Sequence, residues 1–151
     1  MSISSAYNFG KYLIPIAHVF YSTPLTFCFV NLRPITKGHV LISPTRIVSR
    51  FSDLTEEESY DILLVAQKIS GFLEKKYLKR VDICVQDGRE AGQTVPHIHI
   101  HLVPVGTEMI SAVDSGNFKR INLNEFGLDR KDRSSEEMAI EAKEYISFFS
   151  I

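Results

Sequence analysis

Two short β-rich runs, Ile16–Tyr21 and Thr26–Asn31, flank Ser22-Thr23-Pro24, and this pattern predicts a hairpin. Arg33-Pro34-Ile35-Thr36-Lys37-Gly38 reads as a turn into a third strand, His39–Ser43, which Pro44 ends. The next apolar pattern has a different period. Ile62, Val65, Ala66, Ile69, Phe72 and Leu73 recur at three- and four-residue spacing, which predicts an amphipathic helix. Thr55 is its expected N-cap, with Glu58 as the capping-box partner. Glu56, Glu57 and Glu58 lie at the end where the helix dipole favours anions, and Lys75, Lys76 and Lys79 lie near the end that favours cations.

Asp82–Gln86 reads as a strand, Asp87–Thr94 as a glycine-containing loop, and His97–Val103 as a strand closed by Pro104. The pattern is poor from Gly106 to Arg133, a length that marks a functional or mobile loop. Ser134 with Glu137 is a second capping box. It opens a helix with Met138, Ala142, Tyr145, Ile146 and Phe149 on its apolar side. The order β-β-β-α-β-β-loop-α, with hairpins early and late, predicts an α+β domain on a mostly antiparallel sheet of about five strands.

Composition narrows the class without changing this picture. The chain has 151 residues, 44% hydrophobic and 23% charged, which suits one globular domain spanning 1–151 and argues against disorder. Seventeen basic residues against 18 acidic give a net charge of −1, so bulk attraction to nucleic acid or an anionic membrane is not expected. Cys28 and Cys84 sit in separate apolar runs and read as free thiols of a reducing compartment. Met1–Ser5 lacks the features of a signal peptide. The uncharged stretch Tyr12–Leu32 is interrupted by Pro15, His18, Pro24 and Asn31, so it is not expected to span a membrane. A cytosolic protein, with nuclear access, is the expectation.

The chemistry concentrates in His97-Ile98-His99-Ile100-His101. On a strand the three imidazoles share one face, roughly 6.5–7 Å apart, while Ile98, Ile100 and Leu102 take the other. Three readings remain open on these residues alone. The row can hold a metal such as zinc, given further ligands. It can carry phosphoryl transfer, one imidazole attacking phosphorus and the others binding oxygens. It can also be a polar strand face. The preceding loop favours phosphoryl transfer. Gly88 and Gly92 permit close backbone approach, and Gln93 and Thr94 add donors, so the loop can cradle phosphate through its amides.

The run Gln86-Asp87-Gly88-Arg89-Glu90-Ala91-Gly92-Gln93-Thr94-Val95-Pro96, followed by the histidine row and Leu102-Val103-Pro104, resembles the signature of the histidine triad superfamily. It is most similar to the fragile histidine triad branch, the dinucleoside polyphosphate hydrolases. Phe27–Pro44 resembles that branch's second and third strands, and Arg133–Ala142 its C-terminal helix. The likeness extends over residues 9–104 and 133–149.

The resemblance implies a homodimer with a joined sheet, and hydrolysis of diadenosine triphosphate to AMP and ADP. His99 matches the nucleophile, which forms an AMP-histidine intermediate that water cleaves. Its other ring nitrogen is held by a backbone carbonyl in the loop. His97 and His101 match residues bonding phosphate oxygens, and His39 a histidine supporting the triad. Asn31 matches a ribose-binding position, and Gln86 a polar side chain near the scissile phosphates. Gly92, Gln93, Thr94 and Val95 match the phosphate-contacting loop. A magnesium or manganese ion is expected to travel with the substrate phosphates, with no tightly bound cofactor or protein-held metal.

Some positions depart from the branch. Tyr12 stands where the animal proteins usually have His, and an aromatic there can stack on a base. No Tyr occurs between Tyr77 and Tyr145, and there is no Trp. The phosphoramidase branch typically carries Ser in place of Thr94 and a C-terminal Trp-Pro-Pro-Gly, both absent here. The aprataxin-like branch would bring zinc-finger ligands and a basic surface, also absent. A nucleotide-binding signalling module with slow turnover would use the same residues as the hydrolase.

Overall fold

The computed structural model describes residues 6–106 and 130–149. Its centre is a five-stranded sheet built from β3 (Val19–Ser22), β4 (Thr26–Val30), β5 (Val40–Pro44), β6 (Arg80–Val85) and β7 (Ile100–Val105). The order is β3-β4-β5-β7-β6 and every neighbouring pair is antiparallel. The expected α+β antiparallel architecture is therefore present.

Strand alternation divides the sheet's residues between two cores. Cys28, Val30, Val40, Ile42, Ile100 and Leu102 face two helices, α1 (Glu56–Tyr77) and α2 (Ser135–Phe149). Both capping boxes form: Thr55 and Glu58 bond reciprocally, and so do Ser134 and Glu137. The spacing-derived face of α1 is buried throughout. On α2, Met138, Ala142 and Tyr145 are buried, but Ile146 is 39% exposed. A 15-residue helix lying over one sheet edge has a narrower contact stripe than the sequence suggests.

The opposite sheet face carries Phe27, Phe29 and Leu41 in a second cluster with Phe9 and Val19. Its cover is a hairpin that the hydrophobic pattern did not reveal: β1 (Ala6–Phe9) and β2 (Tyr12–Pro15), joined at Gly10-Lys11. Gly10 supplies the positive φ of this two-residue turn, +58°.

Two expected strands begin three residues late. Of Ile16–Tyr21, the first three residues form a 3-10 turn after Pro15, and β3 begins at Val19. That turn buries His18, whose Nε2 lies 3.1 Å from Ser135 Oγ on α2. The His97–Val103 strand begins only at Ile100. Pro96 has no N–H, His97 N–H turns back to the Val95 carbonyl, and Ile98 N–H goes to Val48 instead of a ladder partner. Pro104 does not close β7, which continues to Val105. The β5–β7 pairing has already ended at Val40–Leu102, so the missing N–H at Pro104 costs no bond there. Asn31 and His39 lie just outside β4 and β5.

Gly38 enters β5 with φ +89°, and a Cβ there would meet the Tyr77 ring at 2.5 Å. Only glycine lets the chain pass this close to α1 and present His39 to β7.

Most of the Gly106–Arg133 loop lies outside the described residues. Both cysteines are free. Among the described residues no helix is long and apolar enough to cross a membrane.

Candidate active site

The histidines gather on the sheet face under the β1–β2 hairpin. His101 pairs across with Leu41, so both point away from the helices. Phe9 packs edge-on against His99 at 4.9 Å between ring centroids and touches His97 at 5.5 Å. His97, His99 and His39 are all buried.

Hydrogen-bond partners assign a tautomer to each ring, because a backbone N–H can only donate and a carbonyl can only accept. Gly10 N–H donates to His97 Nδ1 at 2.9 Å, so the proton of His97 sits on Nε2 and goes to the Pro44 carbonyl at 2.8 Å. Both nitrogens are thereby occupied. His97 does not bond phosphate oxygens in this arrangement, contrary to the sequence expectation. It ties the hairpin to the end of β5.

His99 Nδ1–H donates to the His97 carbonyl at 2.8 Å. The carbonyl fixing its tautomer thus belongs to the histidine row itself, two residues back, and not to the preceding loop. Among the described residues nothing bonds His99 Nε2, which leaves its lone pair for an incoming atom. Burial is the main cause that lowers its pKa, so the ring is neutral at physiological pH.

A second chain of bonds sets His101. Ile35 N–H donates to His39 Nδ1 at 3.1 Å, so His39 carries its proton on Nε2 and donates it to His101 Nδ1 at 3.0 Å. His101 must then hold a proton on Nε2. That nitrogen is buried and has no partner among the described residues. Burial first, then the charge of Arg130, holds the pKa of His39 at about 3. Burial first, then His99 and His39, holds that of His101 at about 2. The result is a lone pair on His99 beside an unused N–H on His101, with ring centroids 4.9 Å apart. A nucleophile and a donor side by side suit attack on phosphorus with stabilisation of a bridging oxygen.

The other expected residues divide. Asn31 stands at the tip of β4, its Nδ2 within 3.3 Å of both His39 ring nitrogens. Gln86 follows β6, and continuing the Val85–Ile100 register places it across from His99. Tyr12 lies opposite Phe9 in the hairpin and is 51% exposed.

The glycine loop differs from expectation in its donors. The N–H groups of Ala91, Gly92 and Gln93 are all bonded inside the loop, and Gly88 N–H donates to Gln93 Oε1 at 2.8 Å. Gln93 Nε2 donates to the Ser49 carbonyl at 2.9 Å. These amides close the turn and do not cradle phosphate. Val95 packs against the second core, and Thr94 is exposed beside it. The loop lines one side of a groove of about 760 Å³ with Ser49, Arg50, Arg89 and Pro96. The triad imidazoles lie outside that lining.

Sequence reasoning missed the hairpin and Arg130, whose charge reaches both His39 and His101. The residues Phe9-Gly10-Lys11-Tyr12, a glycine turn between aromatics, were the available signal for the hairpin. Among the described residues, no group of three His, Cys, Asp or Glu side chains is arranged to hold a metal ion.

The HIT domain family model matches residues 15–108. The nitrilase and fragile histidine triad fusion protein of Caenorhabditis elegans is 46% identical over 91% of this chain, which spans 31% of that protein. Its crystal structure superposes with a TM-score of 0.78. The bifunctional bis(5'-adenosyl)-triphosphatase/adenylylsulfatase of Arabidopsis thaliana is 43% identical over 98% of this chain and 87% of its own length. The solved diadenosine triphosphate hydrolase of Plasmodium falciparum is 32% identical, with a TM-score of 0.77, over 98% of this chain and 86% of that one.

Proposed function

Because the chain belongs to the HIT domain family, we propose that it hydrolyses dinucleoside polyphosphates, cleaving diadenosine triphosphate to AMP and ADP. The observation that carries this reading is the pair of opposite tautomers: a free lone pair on His99 Nε2 and a free N–H on His101 Nε2.

His99 Nε2 attacks the α-phosphorus. An N–P bond forms, the P–O bond to the bridge breaks, and ADP leaves with that electron pair. His101 Nε2–H donates to the bridging oxygen as charge develops on it. Water then attacks the same phosphorus, the N–P bond breaks, and AMP leaves. One water is consumed, and its protons pass to solvent and product phosphate. Splitting the displacement in two gives each step a lower barrier. His97 supports His99 through its carbonyl. Asn31 holds ribose, Gln86 and Thr94 contact phosphate oxygens, and Tyr12 stacks on a base. Gln93, Gly92 and Val95 shape the loop that brings Thr94 in. A magnesium or manganese ion shields the remaining phosphate charge.

Incubation of the purified chain with diadenosine triphosphate, with and without magnesium, is expected to give equal AMP and ADP by anion exchange. Tight binding without cleavage would favour a signalling module instead.

The same reading includes a homodimer formed along β6, and a cytosolic location with access to the nucleus. β6 is an edge strand of the sheet, and Ile83 on it is 53% exposed. On α1, Tyr60 and Leu63 are 70% and 68% exposed. An open apolar edge is otherwise a liability. Sedimentation equilibrium is expected to give twice the chain mass, and Ile83→Glu to shift the population to monomer. A monomeric wild type at micromolar concentration would remove the dimer from this reading.

A further inference from the structure

Three buried side-chain polar atoms lack a hydrogen-bond partner among the described residues: Asp82 Oδ2, His101 Nε2 and Arg130 Nε. Two of the three are N–H donors, and contacts tie them to one neighbourhood. Arg130 Nη1 donates to the Arg33 carbonyl. Arg33 N–H donates to Asn31 Oδ1 at 3.1 Å, and Asn31 Nδ2 lies 3.2 Å from the His39 nitrogen that bonds His101.

Three guanidinium groups converge here, and their partners differ. Arg33 is paired with Asp132. Arg133 holds the Asn31 carbonyl and Glu141, 2.9 Å away, and so fastens α2 to the end of β4. Arg130 has no carboxylate partner among the described residues. A buried guanidinium nitrogen without an acceptor, beside a buried imidazole N–H without one, is an arrangement that calls for an anion with several oxygens. The planar guanidinium suits phosphate in particular.

We infer that Arg130 binds the phosphates beyond the scissile bond and so makes the site selective for polyphosphate bridges. This inference rests on the proposed hydrolase reading, with the α-phosphorus at His99 and the bridge oxygen at His101. A phosphate on the leaving side then lies past the His101 ring, which the charge of Arg130 reaches. Its charge favours substrates whose leaving group is itself a phosphate, and it does nothing comparable for a leaving group without one.

The test compares wild type, Arg130→Gln and Arg130→Lys on two substrates: diadenosine triphosphate, and the p-nitrophenyl ester of AMP, whose leaving group carries no phosphate. Arg130→Gln is expected to lower kcat/KM for the dinucleotide roughly tenfold or more, as loss of a charge-assisted bond does. The ester is expected to lose much less, and Arg130→Lys to recover part of the difference. Calorimetric titration with ADP and with AMP supplies a readout independent of turnover. The preference of wild type for ADP is expected to collapse in Arg130→Gln. Equal losses on both substrates would mean that Arg130 acts through the His39–His101 pair or the fold, and would overturn the inference. So would no loss on either. Should wild type cleave neither substrate, the hydrolase reading fails on its own, and the ADP titration still decides Arg130.

Discussion

Replacing His99 by asparagine is expected to lower kcat for diadenosine triphosphate by about four orders of magnitude, the scale on which a covalent nucleophile is missed. Asparagine is the sharper choice than alanine. Its Nδ2 can occupy the place of His99 Nδ1 and keep the bond to the His97 carbonyl. What it cannot supply is a lone pair at the Nε2 position. Alanine would also leave a gap against Phe9, whose ring packs edge-on at 4.9 Å, so lost activity would be mixed with lost packing. Substrate binding is expected to survive in His99→Asn, because His101, Asn31 and Arg130 are untouched. Rapid acid-free quenching of wild type should trap a nucleotide on His99, located by peptide mass. A variant within tenfold of wild type would show that water attacks the phosphorus directly. The free lone pair on His99 would then have another use.

This arrangement could be read from the sequence only in part. Long periodic segments were legible: the face of α1, both capping boxes and the antiparallel order follow from spacing and end chemistry. The β1–β2 hairpin was not, since four residues a side are too few to display a period. Besides the Phe9 ring, it brings the site a backbone N–H at Gly10, reaching a histidine 87 residues away. A backbone donor leaves no mark in side-chain identity. The same limit applies within the histidine row. His97, His99 and His101 are one residue type at one spacing, yet one is locked, one offers a lone pair and one offers a proton. Only the partners brought by β5, the hairpin and His39 distinguish them. Gln93 was identified as a loop donor, but both ends of its carboxamide close the turn on Gly88 and Ser49. Arg130 sits at the end of a segment without pattern, where sequence spacing carries no information about place.

The tautomer network also predicts acid lability. His39, His97, His99 and His101 all have pKa values below the usual 6.5 in the folded chain, burial being the first cause in each case. Unfolding returns them to about 6.5, so between the two values the unfolded chain binds more protons. Stability is then complete above pH 6.5 and is lost as pH falls below it. The loss continues towards the folded values of about 3 for His39 and about 2 for His101. Each of those two rings contributes about 2 kcal/mol of loss between pH 7 and 5, so the pair removes about 4 kcal/mol. His97 and His99 add to it in the same direction. Glu58, held low by Arg46, also weakens the fold on acidification, but only below its usual carboxylate range. Against a typical domain stability of about 5–15 kcal/mol, the histidine effect alone is large. Denaturant titrations at pH 7, 6 and 5 are expected to show the midpoint falling steeply, with most of the change below pH 6.5. His39→Asn should start from lower stability at pH 7 and lose less on acidification, because it removes one of the rings that protonate on unfolding. A midpoint flat from pH 7 to 5 would mean that these rings accept protons without unfolding. The neutral chain from Ile35 through His39 to His101 would then not be the state that holds the site together.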